Sequence, residues 1–246
     1  MINIVTAYPD FLDLYGEYSA AKLLERRLTD AGRNVRVTEL GFGRYSDLEA
    51  ADMVYFGAGT EDRILAVLSH IRLYSEQLKA FVERGGLLEA SGSSMALFCR
   101  TVTDTRDGKT YEGLGLFDAE AVITPKRRYG ELICSYGGRK VIGAVNSSID
   151  FLRGSGQEAL FTVLWDSSGR FQKGSGEGFR AGDSVFASEI TGPLICRNPF
   201  RLDEIAEKLA GEKLPECREL WYMESLKAYD HALDVLLKEA RLKEEG

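Results

Sequence analysis

Gly85 to Met95 reads GGLLEASGSSM. Two glycines lead into a short apolar run, and the run breaks at Ser91-Gly92-Ser93 directly into a stretch from Ser94 to Arg100 with helical character. A strand that feeds a small-residue turn opening a helix is the unit of a parallel sheet, and it sets one side chain, here Ser91, at the C-terminal edge of that sheet. The same alternation continues outward toward the N-terminus. INIVTA (Ile2 to Ala7) is a first strand, and Tyr18 to Ala31 carries Ala21, Leu23, Leu24 and Leu28 at helical spacing before Gly32. NVRVTEL then alternates Val35, Val37 and Leu40 as a second strand, which completes one βαβ unit. ADMVYFG (Ala51 to Gly57) is a third strand, followed by a helix through Ile64, Leu65, Leu68 and Ile71 and another with Leu78, Phe81 and Val82.

Downstream the pattern changes. Short β-type runs at Ala119 to Thr124, Glu131 to Ser135, Lys140 to Val145 and Ala159 to Trp165 are separated by glycine-rich turns, which points to antiparallel pairing. Gly169 to Gly182 (GRFQKGSGEGFRAG) is expected to be a surface loop, and DSVFASEI returns as a strand. Pro193 and Pro199 flank a turn into a helix over Leu202 to Leu209. From Glu219 onward, Leu220, Met223, Leu226, Leu233, Leu236 and Leu237 form an amphipathic stripe. Two units are therefore expected, residues 1–212 as the main domain and 213–246 as a C-terminal helix packed on it. Trp221, Tyr222 and Tyr229 lie off the stripe, where they either pack on the domain or offer an aromatic interface.

Composition narrows the function classes. In 246 residues, 44% hydrophobic content supports a true core, and a formal charge of -7 repels a nucleic-acid backbone. Lys126-Arg127-Arg128 is the one basic cluster, and three adjacent cations read as a solvated strand end before they read as a phosphate clamp. No apolar run approaches the ~18 residues that cross a bilayer, and MINIVTAYPDF carries neither a basic leader nor an apolar signal core. No membrane insertion and a cytoplasmic location are expected. Cys99, Cys134, Cys196 and Cys217 form no CxxC pair and accompany only His70 and His231, which argues against a structural zinc site and against a disulfide scaffold. No metal or cofactor is expected.

Several blocks occur in one collinear order: YPDFLDLYGEY, DMVYFGAGTEDR, GGLLEASGSSM, GLGLFDAEA, RRYGEL, VIGAVNS and ITGPLICRNP. Together they resemble the CobB/CobQ-type class I glutamine amidotransferases, most closely the glutaminase subunit of lipid II isoglutaminyl synthase, from about Tyr8 to about Leu209. The resemblance implies a three-layer α/β sandwich with a central, mostly parallel, flavodoxin-like sheet and additional antiparallel strands. It also implies positions for the chemistry. The family's nucleophilic cysteine falls on Ser91 and its catalytic histidine on Thr191, ahead of Gly192-Pro193-Leu194. A glutamine four positions after the cysteine is Met95 here, and the Phe-Glu-Asn-His segment reads Ala144-Val145-Asn146-Ser147. Gly57-Ala58-Gly59 and Gly92 would supply oxyanion and pocket contacts, with Asn146 beside them.

Both reactive groups are thus replaced. Serine is a weak nucleophile without an adjacent base, and Thr191 cannot act as one; loss of a positioned base costs ~10²–10⁴-fold. Cys99 is expected ~12 Å down the helix from the turn, inside the packing. Glu189 is a minority candidate for a base if burial raises its pKa. His70 and His231, each alone on an amphipathic helix, are expected to be surface or half-buried residues.

What the resemblance then implies is a glutamine amidotransferase-like protein without glutaminase chemistry. It would serve as a scaffold or regulatory subunit of a Mur-ligase-like or other ATP-dependent synthetase, or self-associate. Two alternatives stand beside it: a serine hydrolase or amidohydrolase centred on Ser91, and a sensor of a glutamine-like small molecule in the old pocket. Ser91 is expected to face a shallow crevice shared with the loops after Gly57 and around Thr191.

Overall fold

The computed structural model of the chain describes residues 1–244. Its first half alternates β1 (Ile2–Ala7), α1 (Ser19–Asp30), β2 (Val35–Leu40), β3 (Met53–Phe56), α2 (Glu61–Ile71), α3 (Ser75–Glu83) and β4 (Leu87–Ser91). The second half holds β5 (Thr101–Asp104), β6 (Lys109–Glu112), β7 (Ala119–Tyr136), β8 (Arg139–Arg153), β9 (Phe161–Asp166), β10 (Gly176–Glu177), β11 (Phe179–Ala181), β12 (Val185–Ser188) and β13 (Ile190–Thr191). Helices α4 (Leu194–Arg197), α5 (Pro199–Ala210) and α6 (Leu220–Glu244) close the chain.

The first sheet runs β11-β12-β4-β3-β1-β2, parallel throughout except for β11, so the α/β class and the flavodoxin-like strand order are present as expected. Every residue of β3 and β4 is buried, because helices and the second sheet cover both faces and leave no polar side for the strands to alternate toward. Helix α1 shows how local sequence fixes an element. Ala20, Ala21, Leu24 and Leu28 bury one stripe, and Gly32 takes φ +77° so that its N–H and that of Arg33 cap the carbonyls of Thr29 and Leu28.

The second sheet is antiparallel apart from the β5–β7 pair. The two runs expected at Ala119 to Thr124 and Glu131 to Ser135 are one strand, β7, interrupted by a bulge between Ile123 and Arg128. Gly137-Gly138, both at positive φ, form the two-residue turn into β8. The bulge has a structural purpose. It bends β7 so that Ala119, Ala121 and Ile123 join the core on the α2 and α3 side, while Leu132 and Cys134 join the core around α1 and α5. The basic cluster lies in this bulge, and two of its cations are held internally: Arg127 by Glu61 and Asn146, Arg128 by Asp150.

Three expectations are corrected. Gly169 to Gly182 is not a surface loop: it contains β10 and β11, Glu177 is fully buried, and the Arg170 side chain is 6% exposed. Its glycines serve close packing, since a Cβ on Gly178 would lie 2.4 Å from the Ala187 carbonyl. The stretch after Ser91 is a 3₁₀ segment, Gly92–Phe98, with all seven residues buried, rather than an α-helix to Arg100. The helix expected over Leu202 to Leu209 begins earlier, with Pro199 in its first turn.

Along the outer face of the second sheet, Leu236 of α6 packs with Ile133 and Ile142, flanked by Tyr229, Leu233 and Leu237. The off-stripe rings turn inward: Trp221 donates to Asp30, Tyr222 to Asp203, and Tyr229 to the Lys140 carbonyl. Residues 245 and 246 of the expected C-terminal unit lie outside the described residues. Among the described residues no helix is long and apolar enough to cross a membrane.

Arg27 ties these layers together. Its side chain, 3% exposed, reaches Asp203 of α5 at 2.7 Å and the Pro215 carbonyl at 2.8 Å, and Asp203 also receives Tyr222 of α6. Removing one member of such a pair strands the other, so Arg27→Ala is expected to lose ~2–4 kcal/mol in urea unfolding, with Asp203→Ala close behind.

Candidate functional site

Four chain segments converge where β4 ends. Ser91 pairs with Ser188 of β12, Ala90 pairs with Phe56 of β3, and the Gly57-Ala58-Gly59 turn follows directly. Gly92 takes φ +59° because a side chain there has no room: its Cβ would stand 2.6 Å from the Thr191 methyl and 2.9 Å from Ala58. Ser91, Gly92, Ala58 and Thr191 are therefore in one cluster. Ser93 Oγ clasps the turn, donating to the Gly59 carbonyl at 2.7 Å and accepting from the Gly59 N–H at 2.9 Å. Asn146 stays outside this cluster, its Oδ1 accepting from Arg127, which also pairs with Glu61. Met95 is fully buried apolar packing.

The residue that dominates the site is Glu17, which no spacing or motif singled out. It sits two positions ahead of α1, at the end of a loop that folds onto the Gly57 turn. Leu14 N–H donates to the Ala58 carbonyl, and a Cβ on Gly57 would lie 2.1 Å from the Leu12 carbonyl and 2.5 Å from Glu17 Cβ. The loop starts from Tyr8, the sole non-glycine residue with positive φ among the described residues, at +54°. Fully buried, the Glu17 carboxyl meets Tyr55 Oη and Ser91 Oγ, each 2.9 Å from Oε2, and its Oε1 accepts from Gly192 N–H at 2.8 Å.

Ser91 Oγ lies 2.9 Å from Glu17 Oε2 and 2.9 Å from the Ile190 carbonyl, so its one proton has two acceptors within reach. Burial raises the Glu17 pKa, and the hydrogen bonds from Gly192, Ser91 and Tyr55 only partly oppose it.

The crevice expected at Ser91 is filled by this side chain. Ser91 is 3% exposed, and the void beside it, bordered by Glu89, Phe186 and Leu194, is too small to admit a water molecule. Nor is Ser91 on a strained elbow. Its φ of -112° and ψ of 137° are ordinary extended backbone, and the positive φ falls on Gly92 instead. Thr191 is buried, with Oγ1 3.3 Å from the Ala144 carbonyl.

The remaining candidates are committed elsewhere. Glu189, whose pKa burial pushes up to about 7 against the pull of Arg170, has its carboxylate 2.5 Å from Arg170 Nε. Cys99 is fully buried, its thiol pKa raised by that burial. His70 bonds Tyr8 Oη at 2.7 Å inside a ring cluster with Phe42 and Tyr74, and His231 lines a groove beneath α6.

The parallel sheet, the flanking helices and the convergence of Ser91, the Gly57 turn and Thr191 define a class I glutamine amidotransferase-like fold. Two solved structures share that fold. A glutamine amidotransferase from Thermotoga maritima is 10% identical, with a TM-score of 0.50, covering 96% of this chain and 94% of that one. The glutaminase domain of Trypanosoma brucei CTPS with bound acivicin is 9% identical, with a TM-score of 0.50, covering 90% of this chain and 99% of that domain. No family model and no curated protein matches the sequence.

A carboxyl whose pKa is raised on folding holds its proton in the native state after the unfolded chain has released it. Its contribution is complete below the ordinary value of 4.5 and is lost as pH rises through the folded pKa. Glu17→Gln keeps the shape without the titration. Its stability relative to the parent is therefore expected to rise as pH increases above 4.5 and to level off once the native Glu17 has ionised, measured by urea unfolding across pH.

Proposed function

We propose that this chain is a glutamine amidotransferase-like protein that has lost glutaminase chemistry and acts as a non-catalytic, scaffold or regulatory subunit of an ATP-dependent amide-forming ligase. The particular model is the CobB/CobQ type, and within it the glutaminase subunit of lipid II isoglutaminyl synthase, which the collinear blocks resemble. One observation supports the loss above all others: the hydroxyl at the nucleophile position is buried under Glu17, and the adjoining void does not admit water. A substrate carboxamide has no path to Ser91, no imidazole stands at Thr191, and hydrolysis has no water to complete it. With chemistry removed, the property left for such a fold to contribute is association.

A second reading has a specific observation in its favour, since Glu17 Oε2 at 2.9 Å from Ser91 Oγ is the distance of a nucleophile and its base. A hydrolase built on that pair would need the Tyr8 to Tyr18 loop to lift while Glu17 stayed in reach. A glutamine-like sensor would need the same opening.

Purified protein is expected to release ammonia from glutamine no faster than its Ser91→Ala variant, and a fluorophosphonate probe is expected to leave Ser91 unlabelled. Turnover or labelling that Ser91→Ala abolishes would replace this reading with the hydrolase. Ser91→Cys with Thr191→His is expected to remain inactive while Glu17 is present, because the filled pocket and not only the missing groups blocks the reaction. Co-purification from the native host is expected to recover an ATP-dependent ligase, and a monomer that brings down no synthetase would remove the subunit assignment.

A further inference from the structure

On the far side of β13 from the sealed site lies an open cavity of about 470 Å³, between the C-terminal end of β8 and the Gly169 to Gly182 segment. Its wall carries a chain of ion pairs. Arg128 reaches Asp150 at 2.5 Å, Arg170 reaches the same carboxylate at 2.8 Å, and Arg170 Nε lies 2.5 Å from Glu189. Two guanidinium groups thus meet two carboxylates, and the wall neutralises itself. Arg170, 6% exposed, also donates from Nη2 to the Ile149 carbonyl, so each of its three nitrogens lies against a protein acceptor.

Arg153 is different. Among the described residues it has no ion-pair partner, and one of its nitrogens donates to the Gly178 carbonyl at 2.9 Å. Its guanidinium rests over the Phe179 ring, 5.4 Å from the centroid, and against bare backbone at Gly176, where a Cβ would stand 2.2 Å from Nη1. The two glycines in Gly176-Glu177-Gly178 therefore form a seat, one by having no side chain and the other by offering its carbonyl. Burial lowers the Arg153 pKa, opposed in part by Glu177 and Glu189. Glu177, fully buried, directs its carboxyl to Ser188 Oγ and the Glu189 N–H rather than to Arg153.

We propose that this cavity binds a small organic carboxylate, held by the free donors of Arg153 with its apolar part against Phe171 and Leu152. A guanidinium fork matches a carboxylate in two parallel hydrogen bonds. A single guanidinium without an ion-pair partner matches a monoanion in charge better than a dianion such as phosphate. The site is separate from Ser91 and from the glutaminase chemistry, so it stands whether or not that chemistry is lost.

Titration with benzoate, followed by the amide shifts of Ser175, Gly176 and Gly178, tests it. Benzoate is expected to saturate in the ~1 mM range typical of a ligand this small. Benzamide and inorganic phosphate are expected to bind at least about tenfold more weakly, as is benzoate to Arg153→Gln. An unchanged melting temperature would confirm that the variant folds, and Arg153→Lys, which keeps charge but not the fork, carries the same comparison if it does not. The proposal is overturned by the absence of saturable shifts with benzoate, by equal binding of benzamide, by tighter binding of phosphate, or by benzoate affinity that neither Arg153 variant reduces.

Discussion

A single buried carboxyl organises the centre of this protein. Glu17 is bonded at once to Tyr55 of β3, Ser91 of β4 and the Gly192 N–H at the turn between β13 and α4, so one side chain from the β1–α1 loop closes the C-terminal edge of the first sheet. An unpaired polar group in that position would cost several kcal/mol, which makes the three partners necessary. The loop cannot leave without exposing all of them, and Ser91 cannot turn outward without abandoning Glu17 and Ile190 together. The geometry that closes the site is the geometry that stabilises it.

Other acids and bases are buried around it. Glu89, one residue pair before Ser91 on the same face, is pushed up to about 7 by burial, with Arg201 pulling the other way. Arg201, 1% exposed, lies over the Tyr136 and Phe186 rings and holds Glu204 at 2.7 Å. Glu177 receives Ser188 and the Glu189 N–H, which fixes the chain just before it reaches Ile190 and Thr191. The strand that presents Thr191 is therefore anchored by buried polar groups on one side and by the Ser91–Ile190 hydrogen bond on the other.

A working nucleophile at a strand-to-helix turn needs exposure and a base, and the turn holds it in strain. Here the strain has moved off it: Gly92 takes the positive φ at the turn, and Tyr8 takes one at the root of the covering loop. Ser91 is 3% exposed, and burial raises the pKa of the carboxyl within reach of its hydroxyl. Each of these can be seen only in the relation of one segment to another.

The strand and helix order of the first half was legible in the sequence because period and punctuation carry it. Apolar runs of strand length, the stripe of α1 and a glycine at its C-terminus act over a few residues, and local forces decide them. That Ser91 ends a strand at a small-residue turn was legible too, since Ser91-Gly92-Ser93 is local punctuation. What the tertiary structure alone decided is where distant polar groups meet. Glu17 reaches Ser91 across 74 positions and Gly192 across 175, and the glycine-rich segment expected to be a loop carries β10 and β11, where Arg153 packs on Gly176 and the Ala187 carbonyl on Gly178. No local pattern encodes a contact at such separation. The burial that creates it also raises the Glu17 pKa and leaves Ser91 only 3% exposed.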